Sequence, residues 1–167
     1  MSASSPTVTR DQVLTLLDGG NAHMSLDEAI ADFPLDAMNA YPPNVSTTPW
    51  HILEHIRMAQ RDILDFMRDP AYQELEWPRD YWPAPDASAT EADWEATVVG
   101  IRADLAAIRA IVADPATDLD GLVVNAGDDP KYTVMRQALL VADHNAYHLG
   151  EFAILRQVMG TWPPDHR

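Results

Sequence analysis

Thr48 to Pro70 reads "TPWHILEHIRMAQRDILDFMRDP". A hydroxyl residue stands before a proline, and the proline before a long run with apolar residues at three-four spacing. Thr48 is suited to cap a helix, and Pro49 at the first helical position gives up an N–H that would have no partner there. The apolar stripe is Ile52, Ile56, Ala59, Ile63 and Phe66, the pattern of a helix with one buried face. The helix is expected to stop near Asp69, before Pro70.

Three further blocks carry the same kind of signal, and no stretch alternates as a strand would. The first is broken. Thr9 can cap "RDQVLTLLDGG", which ends at Gly19 and Gly20, and the chain restarts at Ser25 with Glu28 three residues on, a capping box. "YPPN", Tyr41 to Asn44, stops it. Another block opens at Thr90 with Asp93 and carries Trp94, Val98, Ile101, Leu105, Ile108 and Val112 in one seam. The last spans roughly Thr133 to Met159, before Gly160. Between them run "DPAYQELEWPRDYWPAPDASAT", too apolar for a solvated linker and expected to pack across the bundle, and a turn-rich loop from Asp114. The fold class is therefore all-α, a single-domain four-helix bundle with two long crossovers over residues 1–167, with residues 1–8 expected as a loose tail.

Charge and composition narrow the function. The net charge is −15, from 26 acidic against 11 basic residues, which repels nucleic-acid backbones and anionic membranes. Lys131 is the only lysine, and the arginines form no patch. With no cysteine there is no disulfide, thiolate metal site or cysteine nucleophile, so a metal would be held by nitrogen and oxygen. The opening "MSASSPTVTR" resembles no export signal and no run has membrane-spanning length; the expected location is cytoplasmic.

Chemistry concentrates in "DHNAYHLGE", Asp143 to Glu151. Residues four apart on a helix are neighbours, so His144 and His148 can point at one spot. Both border the core: His148 falls in line with Val141 and Phe152, and His144 on the adjacent strip with Leu140, Tyr147 and Glu151. A bare pair of this kind is as well explained by hydrogen-bonded boundary histidines. His55, beside Ile52, Ile56 and Ala59, adds a third inward imidazole. Three neutral imidazoles facing one core need several separate partners or one ion, and the donor set suits zinc, nickel or iron. His51 lies at the stripe's edge and reads as flanking, with a fourth-ligand role as the alternative. Asn145 after His144 excludes the zinc-protease pattern, and the absence of Glu-x-x-His excludes a carboxylate di-iron bundle. "DLDG" at Asp118 lacks the further ligands of a calcium loop and reads as a turn. His23 and His166 have no partner that spacing identifies.

"TPWHILEHIRMAQRDIL" with "ADHNAYHLGEFAILRQVMG" resembles the DinB/YfiT-like superfamily, over about Thr9 to Gly160, and "YWP" points to its DinB-like branch. The resemblance implies an up-down-down-up four-helix bundle, a homodimer, and a divalent metal on His55, His144 and His148. Many members have Gln where this chain has Glu151, whose carboxylate could accept a hydrogen bond from bound water, orient a ligand or act as base. The resemblance also implies a thiol-dependent transferase using mycothiol or bacillithiol, the metal activating the thiol toward an electrophile. The alternative is a non-catalytic bundle that the metal stabilises. Arg57 and Arg156 are candidate anion clamps, although helix arginines more often sit in solvated ion pairs. Trp50, Trp77, Tyr81 and Trp82 could roof the site or only seal the bundle.

Overall fold

The computed structural model describes residues 6–165. Among them the elements are α1 (Pro6–Asp18), α2 (Leu26–Ile30), a 3-10 turn (Leu35–Ala37), α3 (Pro49–Arg68), α4 (Glu91–Ala113) and α5 (Val134–Met159). The protein is all-helical; the sole extended pairing described is an isolated bridge between Leu122 and Thr133.

Side-chain caps set most of the helix starts. Ser25 accepts from the Glu28 N–H while Glu28 reaches back to the Ser25 N–H, and Thr90 and Asp93 make the same reciprocal pair. Thr133 caps α5, which ends at Gly160 in the left-handed conformation that glycine adopts without steric cost. At the start of α3 the partner of Thr48 is His51: its backbone N–H bonds to the Thr48 hydroxyl, and its Nδ1 accepts from the Thr48 N–H. The one displaced start is the first. The helix expected after Thr9 already begins at Pro6, so residues 6–8 belong to α1; the rest of the expected tail, residues 1–5, lies outside the described residues, as does His166.

Helices α3 and α4 pack together, α3 packs on α5, and α1 packs on α4 and α5. The core has two parts. One gathers Val13 and Leu17 of α1 with Leu64, Met67, Ile108, Val112 and the first turns of α5. The other gathers Ala29 and Phe33 with Ile52, Ile56, Trp94, Ile101 and the last turns of α5, Phe152 and Leu155. The first halves of α3 and α4 thus meet the second half of α5, the pairing expected when α3 and α4 run one way and α5 returns. His55 lies on α3 among residues of the second part, and on α5 His144 and His148 fall between the last residue of the first part, Ala142, and the first of the second, Leu149.

The crossovers are anchored by directional bonds. Asn125 donates to the Phe66 and Asp69 carbonyls at the end of α3, and Tyr72 and Tyr81 each donate a hydroxyl to one oxygen of Asp62. The "DLDG" stretch is a turn, closed by Gly121 N–H to the Asp118 carbonyl. Arg156 is fully buried and donates to the carbonyls of Ala29, Ala31 and Thr161 while lying over the Trp162 ring, so it ties the short α2 to the end of α5.

Candidate metal centre

Nε2 of His55 lies 3.1 Å from Nε2 of His148 and 3.1 Å from Nε2 of His144. One ligand atom from each of the three histidines falls within 4.8 Å of the others. Helix α3 contributes one histidine and α5 two, spaced four residues apart so that both rings leave the same face.

The other ring nitrogens decide the protonation. Nδ1 of His55 is 2.6 Å from the carbonyl of Tyr81, an acceptor, so it carries the proton and donates. Nδ1 of His148 donates likewise to Oε2 of Glu151 at 2.7 Å. In the neutral rings both Nε2 atoms therefore present lone pairs to each other at a distance where lone pairs repel. Nδ1 of His144 is buried without a hydrogen-bond partner, so only this ring can bring a proton to the centre. A cation resolves the conflict and a single proton does not. Two nitrogens each bound to one tetrahedral zinc at about 2.0–2.1 Å would stand about 3.3 Å apart, close to the separations found. The donor set and the orienting partners both fit a divalent metal held by His55, His144 and His148.

Burial, followed by the adjacent His148 and His55 rings, pushes His144 down to about 4. Burial also lowers His55, opposed by its bond to the Tyr81 carbonyl. Both rings are thus held neutral, the form that can ligate.

His51 is buried but elsewhere engaged. Its Nδ1 accepts from Thr48, and its Nε2 donates to the Ala87 carbonyl at 3.1 Å. Both nitrogens are committed to joining the start of α3 to the crossover, which leaves none for a fourth ligand. Glu151 stands at Nδ1 of His148, the orienting position among the three roles open to it. The aromatic set divides: Trp82 stacks on His55 and Tyr81 supplies the carbonyl, whereas Trp50 bonds to Thr97 and Trp77 is 67% exposed. His23 bonds to the Met24 carbonyl and lines a separate cavity near the end of α1.

The sequence model of the DinB superfamily matches residues 21–152. This chain belongs to the DinB superfamily. The matched stretch holds His55, His144, His148 and Glu151, while α1 precedes it. No curated protein and no solved structure matched the chain. No helix among the described residues is long and apolar enough to cross a membrane.

Arg57 makes a two-pronged pair with Glu54, the partly solvated ion pair favoured over an anion clamp. Arg156 fits neither reading: it is fully buried and donates to backbone carbonyls. Other residues escaped the sequence reading. Gln60 is buried between helices, donating to the Ile101 carbonyl and accepting from Asn145. The capping role of His51 had a signal, since it occupies the position where a capping box usually carries Glu or Gln.

A cleft of about 660 Å³ opens beside the triad. Its walls include His148, Glu151, Trp82, Tyr147 and Ile154, and its rim is the loop 44–47. The nearby Glu151 carboxylate holds the Tyr147 hydroxyl above its ordinary range.

Proposed function

We propose that this DinB-superfamily protein is a metal-dependent enzyme in which His55, His144 and His148 hold a zinc or nickel ion, with iron the third choice, and that it activates a low-molecular-weight thiol for transfer to an electrophile. The observation that carries the reading is the convergence of three histidine Nε2 atoms, with His148 in the wall of an open cleft. When bound, a divalent ion there supplies Lewis-acid stabilisation of an anionic sulfur or oxygen nucleophile at neutral pH. The chain provides no cysteine of its own, so the sulfur would come from a low-molecular-weight thiol cosubstrate.

The protein's residues then have separable tasks. The Tyr81 carbonyl and the Glu151 carboxylate hold His55 and His148 in the tautomers whose Nε2 atoms face inward. Trp82 covers one face of His55 and keeps water from that side. Ile154 and Leu155 give the cleft an apolar lining where an electrophile can dock.

A purely structural metal, the competing reading, has no use for a cleft reaching His148. The two separate on one experiment: metal analysis of protein purified without a histidine tag, followed by titration of the loaded protein with small thiols. Stoichiometric metal with thiol binding supports the enzyme; stoichiometric metal indifferent to every thiol leaves the stabilising role.

A further inference from the structure

The charge around the cleft says which thiols it would accept. None of its lining residues is a lysine or arginine, and the one charged side chain among them is the carboxylate of Glu151. The arginines that α3 and α5 carry nearest the triad in sequence are engaged elsewhere, Arg57 on Glu54, Arg156 on three carbonyls and Arg136 on Gln137 and the Tyr132 ring. The remaining wall is aromatic or aliphatic at Trp82, Tyr147, Ile52 and Ile154, and neutral polar at Asn44, Ser46 and Thr47 of the rim loop. Aromatic faces attract cations and apolar groups, and they offer nothing to a carboxylate. The whole chain adds a field of net charge −15, which depletes anions near the entrance.

We infer that the cleft selects an uncharged or amine-bearing thiol with an apolar portion, and discriminates against thiols that carry carboxylates. This rests on the thiol-activating reading above. An anionic group in this cleft finds only the neutral donors of the rim loop beside the like charge of Glu151, and none of the described lysine or arginine side chains lines it. A cationic or neutral group meets Glu151 and two rings instead. The single charge that matters most is also the group orienting His148, so selectivity and the geometry of the centre share one carboxylate.

The test uses the full chain loaded with cobalt(II), whose absorption gains a sulfur-to-metal band when a thiol binds. Three probes of similar size are titrated at low ionic strength: cysteamine, 2-mercaptoethanol and mercaptoacetate. Each is titrated against wild type and Ser46→Lys, which places a cation on the exposed rim loop. Comparing the variants cancels the differing acidities of the three thiols. Cysteamine and 2-mercaptoethanol are expected to bind more tightly than mercaptoacetate. In Ser46→Lys the ratio of cysteamine to mercaptoacetate affinity should fall about threefold to tenfold, and the fall should shrink as salt is added. Mercaptoacetate binding as tightly as cysteamine to wild type, with a ratio unmoved by Ser46→Lys, overturns the charge inference while leaving thiol activation intact. If no thiol produces the band on protein shown to hold cobalt, the thiol reading itself falls and this inference with it.

Discussion

The indole of Trp82 lies flat on the imidazole of His55, with ring centroids 3.7 Å apart and planes 4° from parallel. A fluorophore is thereby in van der Waals contact with a residue whose electron density changes when a cation binds. Metal loading should alter the tryptophan emission. In Trp82→Phe the metal-linked change should largely vanish although metal still binds, because the other four tryptophans are not stacked on the triad. Retention of the full change in Trp82→Phe would contradict the assignment.

Four histidine variants separate ligation from architecture. His55→Ala, His144→Ala and His148→Ala should each cut the metal-to-protein ratio sharply and remove most of the melting-temperature gap between loaded and chelator-treated protein. His51→Ala should keep the metal. It should instead lose about 1–3 kcal/mol of stability in both states, since the Thr48 N–H and the Ala87 carbonyl lose their buried partner. Loss of the ion from His51→Ala with retention in His55→Ala would reverse these roles.

Acidity should weaken the metal-free fold in a definite window. His144, depressed to about 4 chiefly by burial, titrates near 6.5 once unfolded. Between those values the unfolded chain binds more protons than the folded one, so the contribution is intact above 6.5 and declines as pH falls toward 4. His55, also lowered by burial, acts in the same direction. Urea midpoints of chelator-treated protein should fall from pH 7 to pH 5, and less steeply in His144→Gln.

Glu151→Ala removes the acceptor that fixes the His148 tautomer. Metal affinity should drop about tenfold to a hundredfold, the usual effect of losing an orienting partner. Glu151→Gln, whose amide oxygen can still accept from Nδ1, should lose less. Equal affinities for wild type and both variants, measured by competition with a chelator, would return Glu151 to the surface.

Arg156→Met preserves most of the packing volume yet strands three carbonyls. A loss of about 3 kcal/mol or more is expected from those unsatisfied groups. Arg156→Lys, with one ammonium in place of a planar fork, should recover part of it. Denaturant unfolding of the pair gives the comparison.

The helices and the meeting of three histidines were legible because both are local signals. Caps at Ser25, Thr48, Thr90 and Thr133 act within one turn, and the four-residue spacing of His144 and His148 sets their common face without reference to the rest of the chain. His51 was harder to read. Hydropathy put it at the edge of a stripe, while the bond that buries it goes to Ala87, 36 residues on. The same holds for Trp82 and the Tyr81 carbonyl, whose positions depend on the path of a proline-rich crossover, and for Arg156, whose partners are carbonyls that carry no residue identity. The start of α1 was missed for a different reason: Thr9 looks like a cap, but the helix continues backward through it to Pro6.

The buried amide of Gln60 has a consequence for assembly. Apolar ridges on neighbouring helices can slide by a turn at modest cost, since one row of methyl groups is much like the next. Gln60 of α3 interrupts that smoothness by holding Asn145 of α5 at 2.8 Å and the Ile101 carbonyl of α4 at 2.7 Å. It behaves as a detent. A one-turn slip of α5 would strand a buried amide on each helix before any greasy contact objected, and Asn145 is the immediate neighbour of His144. The chain thus indexes three helices with a single uncharged side chain, and the tolerance on where its histidines come to rest is inherited from that click.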